Sequence, residues 1–395
     1  MLFSAAMQRS SEISDLERPN SSGPIQIEQV AIRLIRLPLV EPFETSFGSI
    51  DSRNIFLVSV AANGLQGWGE VVAAEAPLYS YETVDTAFHI IRDFLAPAMI
   101  SGPLQSLAEL SRRFARFRGH NMAKAGLELA FTDLLAQANQ QSISQLLGGT
   151  RERIPVGVSL GIQKTPTQLL ERVARYLGLG YQRIKLKIKP GWDLEIVEQV
   201  RNAYPQILLS VDANAAYTPA DTAHLKKLDQ FDLLMIEQPL NYEDLLDHAH
   251  LQNELKTSLC LDESITGSPQ AKSALELNSC RIINIKVGRV GGYSQALAIH
   301  DLCLARNVPV WCGGMLESGV GRAHNIALAS LPGFLLPGDI SASSRYFARD
   351  IIVPEVKVSQ DGTVAVPNKI GLGFELDFDF IKSQTETIEL ITSSR

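Results

Sequence analysis

Lys187, Asp212, Glu237, Asp262 and Lys286 stand 25, 25, 25 and 24 residues apart. Each closes a short apolar run: KLK, SVD, MIE, CLD and NIK. Between the runs lie segments with helical patterning, over 166–178, 193–203, 219–230, 242–254, 268–277, 293–305 and 320–330. With "IPVGVSLGI" before them and "PVWCGGMLES" and "LPGDIS" after, the chain holds eight strand candidates and seven helices. Strict alternation of strand and helix implies parallel strands joined by right-handed crossovers. An open doubly wound sheet is one solution; eight units closing into a barrel fit the count better. In such a barrel the C-terminal strand ends form one mouth, so the five charged residues are expected to meet there.

The stretch "RIKLKIKPGWD" shows what this demands. Lys185, Lys187 and Lys189 alternate with Leu186 and Ile188, so one face of the strand is cationic. A barrel strand has no wet face along its length. Leu186 and Ile188 suit packing on helices, and Lys185 and Lys187 then point inward, where their charges need partners. Lys189 lies further along and reads as solvated. Asp212, Glu237 and Asp262 come from the next three strands and would repel one another without a cation. An all-oxygen donor set suits a hard ion, Mg²⁺ or Mn²⁺. Asp262 taken alone in "LDES" would equally serve as a helix cap. Lys187 and Lys286, on the second and sixth strands, fall on opposite sides of an eight-stranded barrel. Lys185 is expected to lower the pKa of Lys187 through like charge, and Arg289 to act similarly on Lys286. Two opposed bases with a metal suit removal of a proton α to a carboxylate, with the resulting enediolate stabilised electrostatically.

Upstream, residues 26–60 are strand-like with a turn at Asn63-Gly64, and 82–140 are helical, which suggests a compact α+β domain. "EPFETSFGSI" between the first two strands reads as a loop carrying Phe43 and Phe47. The first 25 residues are polar and serine-rich, and read as a disordered extension rather than a signal peptide. The chain has 395 residues, 45% of them hydrophobic, and a net charge of -7, with no basic block to suggest nucleic acid. Nothing approaches the ~20 apolar residues of a membrane span. The four cysteines, Cys260, Cys280, Cys303 and Cys312, lack zinc-type spacing and read as core residues of a reducing compartment, so a cytoplasmic place is expected.

"KLKIKPGWD", "VDAN", "IEQPL", "CLDES", "NIKVGRVGG", "WCGGMLESG" and "LPGDISAS" resemble the enolase superfamily, and within it the muconate-lactonizing subgroup. The resemblance is nearest to the branch that holds o-succinylbenzoate synthases and N-acylamino acid (N-succinylamino acid) racemases, and runs from about residue 26 onward. It implies an α/β fold with an α+β capping domain over 26–145, a modified (β/α)7β TIM barrel over 146–345, and a segment over 346–395 returning to the cap. It implies Lys187 as the principal acid/base, Lys286 as its opposed partner, Lys185 as support, and Asp212, Glu237 and Asp262 as Mg²⁺ ligands. "EPFETSFG" corresponds to a mobile substrate loop, whose Phe43 and Phe47 would shield the pocket or simply anchor it. Ser159, Asn214, Arg289, Gly314 and Met315 fall in substrate-facing segments. His300 and His324 lie in helical segments and read as structural. Strand six carries Lys286 where the mandelate racemase branch uses a histidine. Asp339 is followed by Ile340 and Ser341, not by the Asp-x-Asp of dipeptide epimerases. The implied activity is Mg²⁺-dependent dehydration to o-succinylbenzoate in menaquinone or phylloquinone synthesis, with N-succinylamino acid racemisation as a second or the primary reaction. The implied partner is a small carboxylate substrate, in a homo-oligomer. A catalytically silent binding barrel fits poorly, since all five positions are filled.

Overall fold

The computed structural model describes residues 23–46 and 48–392. Three strands open the cap: β1 Gln29–Thr45, β2 Gly48–Ala62 and β3 Leu65–Val71, all antiparallel. Asn63 and Gly64 both take positive φ, 52° and 74°, which matches the twist of a tight hairpin between β2 and β3. The last described strand, Thr385–Thr392, adds to the other side of β1 and so returns to the cap. The long helix Asn121–Ala138 lies on this sheet with nearly all of its side chains buried. Two glycines in β3 allow the approach. A Cβ on Gly67 would stand 2.2 Å from the Ala130 carbonyl, and one on Gly69 would stand 2.2 Å from that of Gly126.

The second unit is a ring of parallel strands: β4 Gly157–Leu160, β5 Arg183–Lys187, β6 Leu208–Asp212, β7 Ile236–Glu237, β8 Leu259–Leu261, β9 Ile282–Ile285 and β10 Val310–Cys312, side by side in chain order. An eighth segment closes it. Phe334 bridges Val310, and Gly338 bridges Val156, both in parallel. Gly157 N–H donates to the Gly338 carbonyl at 2.7 Å, and Asp339 N–H to that of Cys312 at 2.9 Å. After this segment the chain leaves without an eighth helix, so the architecture is (β/α)7β under an α+β cap. All five residues of β5 are buried, so its lysine face lies inside the barrel.

Two acidic side chains of the cap reach into the barrel. Glu70 of β3 accepts from Ser318 N–H at 3.1 Å, Ser318 Oγ at 2.5 Å and Gly321 N–H at 2.9 Å, at the start of helix Gly319–Ala329. Glu128, from the long cap helix, accepts from Ser294 N–H at 2.5 Å at the start of helix Tyr293–Ala305. Each satisfies amide donors that a helix N-terminus leaves open.

Three expectations change. Residues 1–22 of the expected extension lie outside the described residues, but Ile25 belongs to the fold: it is buried and pairs with Leu104. "EPFETSFGSI" is not an irregular loop. Phe43 pairs with Ile50, Glu44 with Ser49 and Thr45 with Gly48, so β1 and β2 continue into an extended hairpin after a register shift. The helix expected over 242–254 begins at Leu246, behind an Asn241–Asp244 turn.

Candidate active site

Strand register lines up the charged residues. Lys187 sits opposite Asp212, and Asp212 opposite Glu237, so the three form one row across β5, β6 and β7. Glu237 faces Cys260, which places Asp262 two residues beyond the row, just past the end of β8. Lys286 follows β9 directly. Ser159 stands opposite Lys185 on β4, buried, with its Oγ lacking a hydrogen-bond partner among the described residues.

Lys187 Nζ donates to Asp212 Oδ2 at 2.6 Å and to Asn214 Oδ1. Asn214 takes a positive φ of 44°, which turns its backbone N–H to Asp212 Oδ1 at 3.1 Å. Its Nδ2 donates to Glu263 Oε1 at 2.9 Å. Across the mouth, Lys286 Nζ donates to Asp262 Oδ2 at 2.8 Å and to the Tyr79 hydroxyl at 3.1 Å. Tyr79 itself donates to Asp262 Oδ1 at 3.0 Å, and its ring lies 4.5 Å below the ammonium. Burial alone would push Lys286 down; Tyr79 and the carboxylates of Glu237, Glu263 and Asp212 outweigh it and hold the ammonium well above its ordinary range. Arg289 pairs with Asp262 and donates to the carbonyls of Ile265 at 2.8 Å and Asn284 at 2.5 Å, while burial lowers its pKa.

Lys185 corrects an expectation. It does not lend an uncompensated like charge to Lys187. Its Nζ lies 2.6 Å from Asp339 Oδ2, 2.8 Å from Glu237 Oε2 and 3.2 Å from Asp212 Oδ2. Burial acts to lower its pKa, but Asp339, Glu237 and Asp212 override that and hold it well above the lysine range. Arg289 departs from expectation in the same way, since its charge is spent on Asp262 and the net shift of Lys286 is upward.

The carboxylates crowd one another. Burial and then the Asp212 charge raise both Glu237 and Glu263 above the usual carboxylate range. Glu263 Oε2 is buried with no hydrogen-bond partner among the described residues. An all-oxygen set that is buried, mutually repelling and partly unsatisfied fits a hard divalent cation. Among the described residues no three acidic, histidine or cysteine side chains are arranged as a finished metal shell. Asp212, Glu237 and Asp262 are each turned to an ammonium or guanidinium instead.

The remaining candidates divide. Met315 N–H donates to Glu317 Oε1 at 2.8 Å, and a Cβ on Gly314 would stand 2.6 Å from the Asp339 carbonyl, so this segment packs tightly against the closing strand. Phe43 is buried against Tyr346, with ring centroids 6.5 Å apart, as an anchor of the hairpin. Phe47 lies outside the described residues. His324 is held between the Tyr293 hydroxyl and the Trp68 carbonyl, and burial pushes it down to about 4; His300 accepts from Gly333 N–H. The four cysteines are buried and unpaired.

Sequence reasoning missed Tyr79, Asp339, Glu263 and Asn284. Asn284 donates to Glu237 Oε1 at 2.7 Å, and Asp339 Oδ1 accepts from Arg183 at 2.6 Å. Asp339 ends the eighth strand as the other acids end theirs, and Glu263 adjoins Asp262, so both carried a positional signal. Tyr79 carried none.

Comparison with known proteins shows the family and the fold. Residues 168–380 match the enolase C-terminal domain-like family, and residues 28–148 the mandelate racemase/muconate lactonizing enzyme N-terminal domain. An o-succinylbenzoate synthase of Geobacillus kaustophilus is 53% identical, over 93% of this chain and 98% of its own. An N-succinylamino acid racemase of Thermus thermophilus is 48% identical, over 91% and 98%. The crystal structure of an enolase superfamily member from Listeria innocua superposes with a TM-score of 0.90 at 43% identity, over 93% of this chain and 99% of that one. With both domains matched and full-length relatives near half identity, the chain belongs to the enolase superfamily, in its mandelate racemase/muconate lactonizing enzyme family.

Proposed function

We propose that the protein is a Mg²⁺-dependent acid/base enzyme that forms o-succinylbenzoate by dehydration and also racemises N-succinylamino acids. One observation carries the chemistry: two nearly buried ammonium groups, Lys187 and Lys286, stand at the ends of β5 and β9, four strands apart in an eight-membered ring. The names of the relatives supply the substrates, and both names occur among chains about half identical to this one.

Enzymes of this superfamily generally use Mg²⁺, and Asp212, Glu237 and Asp262 would hold it here. When bound, Mg²⁺ supplies positive charge to the substrate carboxylate as the adjacent carbon loses its proton. Lys187, freed from Asp212 and in its neutral amine form, takes the α-proton from one face and becomes the ammonium. In dehydration the same ammonium returns that proton to the departing hydroxyl, so the elements of water leave and an aromatic ring forms. Lys286 stays protonated on the other face and stabilises the anion. In racemisation Lys286 delivers a proton to the face opposite Lys187, so both lysines must exchange. Tyr79 and Asp262 fix the Lys286 ammonium, and Asn214 fixes that of Lys187. Lys185 serves as a permanent counter-charge that keeps three carboxylates together. Among the described residues no helix is long and apolar enough to cross a membrane. A cytoplasmic homo-oligomer is the setting proposed; the strand Thr385–Thr392 leaves Ile388 and Leu390 exposed on a sheet edge suited to self-association.

The test uses Lys286→Ala and both enantiomers of an N-succinylamino acid in D₂O with Mg²⁺. The enantiomer that presents its proton to Lys187 should still exchange it for deuterium, without inversion. Interconversion at a near wild-type rate would refute the opposed-lysine mechanism.

A further inference from the structure

A groove of about 500 Å³ lies on the outer wall of the barrel, away from the strand ends that hold the lysines. It opens where an eighth barrel helix would otherwise pack. Its walls come from the root of the β1–β2 hairpin, the end of helix Pro166–Gly178, and the chain that leaves the closing strand. Arg345 lines it and is nine-tenths buried, with a relative exposure of 9%. Its Nε has no hydrogen-bond partner among the described residues, and its guanidinium makes a long 3.5 Å contact from Nη2 to the Ser159 carbonyl. The guanidinium lies 5.1 Å from the ring centroids of both Tyr176 and Tyr346. The only acid in the lining, Glu41, pairs with Arg172 and Arg175 and also feels the Arg345 charge.

A buried cation is ordinarily matched by an anion. Here the one acid that faces Arg345 is Glu41, which is already held by Arg172 and Arg175, and Lys357 adds a further positive charge, so cations outnumber anions in this lining. Apart from Ser344, the rest of the wall is apolar or aromatic, with Val40, Leu179, Val358, Tyr176 and Tyr181. From this combination we infer a second ligand site, separate from the barrel mouth, for a small organic carboxylate with a flat apolar body. The carboxylate meets the Arg345 fork, and the apolar body lies between the tyrosines and the aliphatic rim.

The site is tested on the full chain with 4-fluorobenzoate as probe, followed by ¹⁹F NMR, and with inorganic phosphate in parallel. Arg345→Leu removes the buried charge without adding a polar group, and thermal melting checks that it folds. The wild type should show a binding event that Arg345→Leu weakens by about tenfold or more, the loss expected for a charge-assisted pair. Should Arg345→Leu fail to fold, Arg175→Ala at the exposed rim decides, with several-fold weakening expected. Identical titrations for the wild type and the deciding variant would overturn the assignment. So would phosphate binding as tightly as 4-fluorobenzoate, because that would make the groove a site for any anion.

Discussion

Asp339→Asn tests whether the closing strand holds the interior charges in place. Asp339 is buried with one oxygen 2.6 Å from Arg183 and the other 2.6 Å from Lys185. Burial acts to raise its pKa, but the Arg183 and Lys185 charges outweigh it and hold the carboxyl well below the usual range. Removing one partner of a buried ion pair costs about 3–5 kcal/mol. Asparagine keeps one accepting oxygen, Arg183 keeps the Pro337 carbonyl at 2.9 Å, and Lys185 keeps Glu237 and Asp212. The expected loss is therefore about 3 kcal/mol, the low end of that range. Urea unfolding of both proteins at several pH values measures it. Between pH 5 and 8 Asp339 is ionised in the folded and the unfolded chain alike, so the gap should stay constant. Below about pH 4 the unfolded aspartate takes up a proton that the folded one refuses, so the wild type loses stability and the gap should narrow. A second substitution, Arg183→Met, should be less than additive with the first by about 0.5–3 kcal/mol. A loss below about 1 kcal/mol, or a gap that already shrinks between pH 8 and 5, would refute the view that Asp339 is the counter-ion of this cluster.

Asp262→Asn should weaken Mg²⁺ binding by about tenfold or more, because one of three anionic oxygen ligands is lost; titration calorimetry reads this directly, and an unchanged affinity removes Asp262 from the metal site. His324 stays neutral in the fold down to about pH 4, whereas the unfolded chain protonates it below about 6.5. Stability should therefore fall as pH drops through that window, by about 1.4 kcal/mol per unit for this residue, and His324→Gln should abolish that part of the slope in denaturation curves at pH 7.5 and 5. Glu70→Ala leaves two backbone N–H groups and the Ser318 hydroxyl without their acceptor. It should cost about 2–4 kcal/mol in unfolding free energy, and a loss under about 0.5 kcal/mol would mean that water replaces the carboxylate freely.

The barrel was legible because its repeat is local. A run such as SVDAN carries its own strand, its inward charge and the turn that follows, and the interval of 25 residues needs no knowledge of distant contacts. Asp212, Glu237, Asp262 and both lysines could be placed at the strand ends for that reason. Tyr79 could not, since it belongs to the cap and meets Asp262 only after two domains have docked, 183 positions apart in sequence. Lys185 shows a different limit. Its strand position was readable, but the sign of its influence depended on Asp339, which reaches it only when the eighth strand closes the ring. The β1–β2 hairpin looked like a loop because Pro38 and Pro42 break the alternation, yet the pairing resumes at Phe43 after the register shift.

Glu70 and Glu128 give the cap a consequence beyond coverage. Each supplies the acceptor for the opening turn of a barrel helix, and those two helices follow the segments that carry Lys286 and Met315. The two domains therefore share their hydrogen-bond grammar and are not interchangeable modules. A cap borrowed from another barrel of the same shape, without acids at these two places, would bury two unsatisfied helix starts directly behind the chemistry. Recombination at the domain boundary is constrained accordingly: new specificities are reached more readily by changing residues within an existing cap than by exchanging the cap whole.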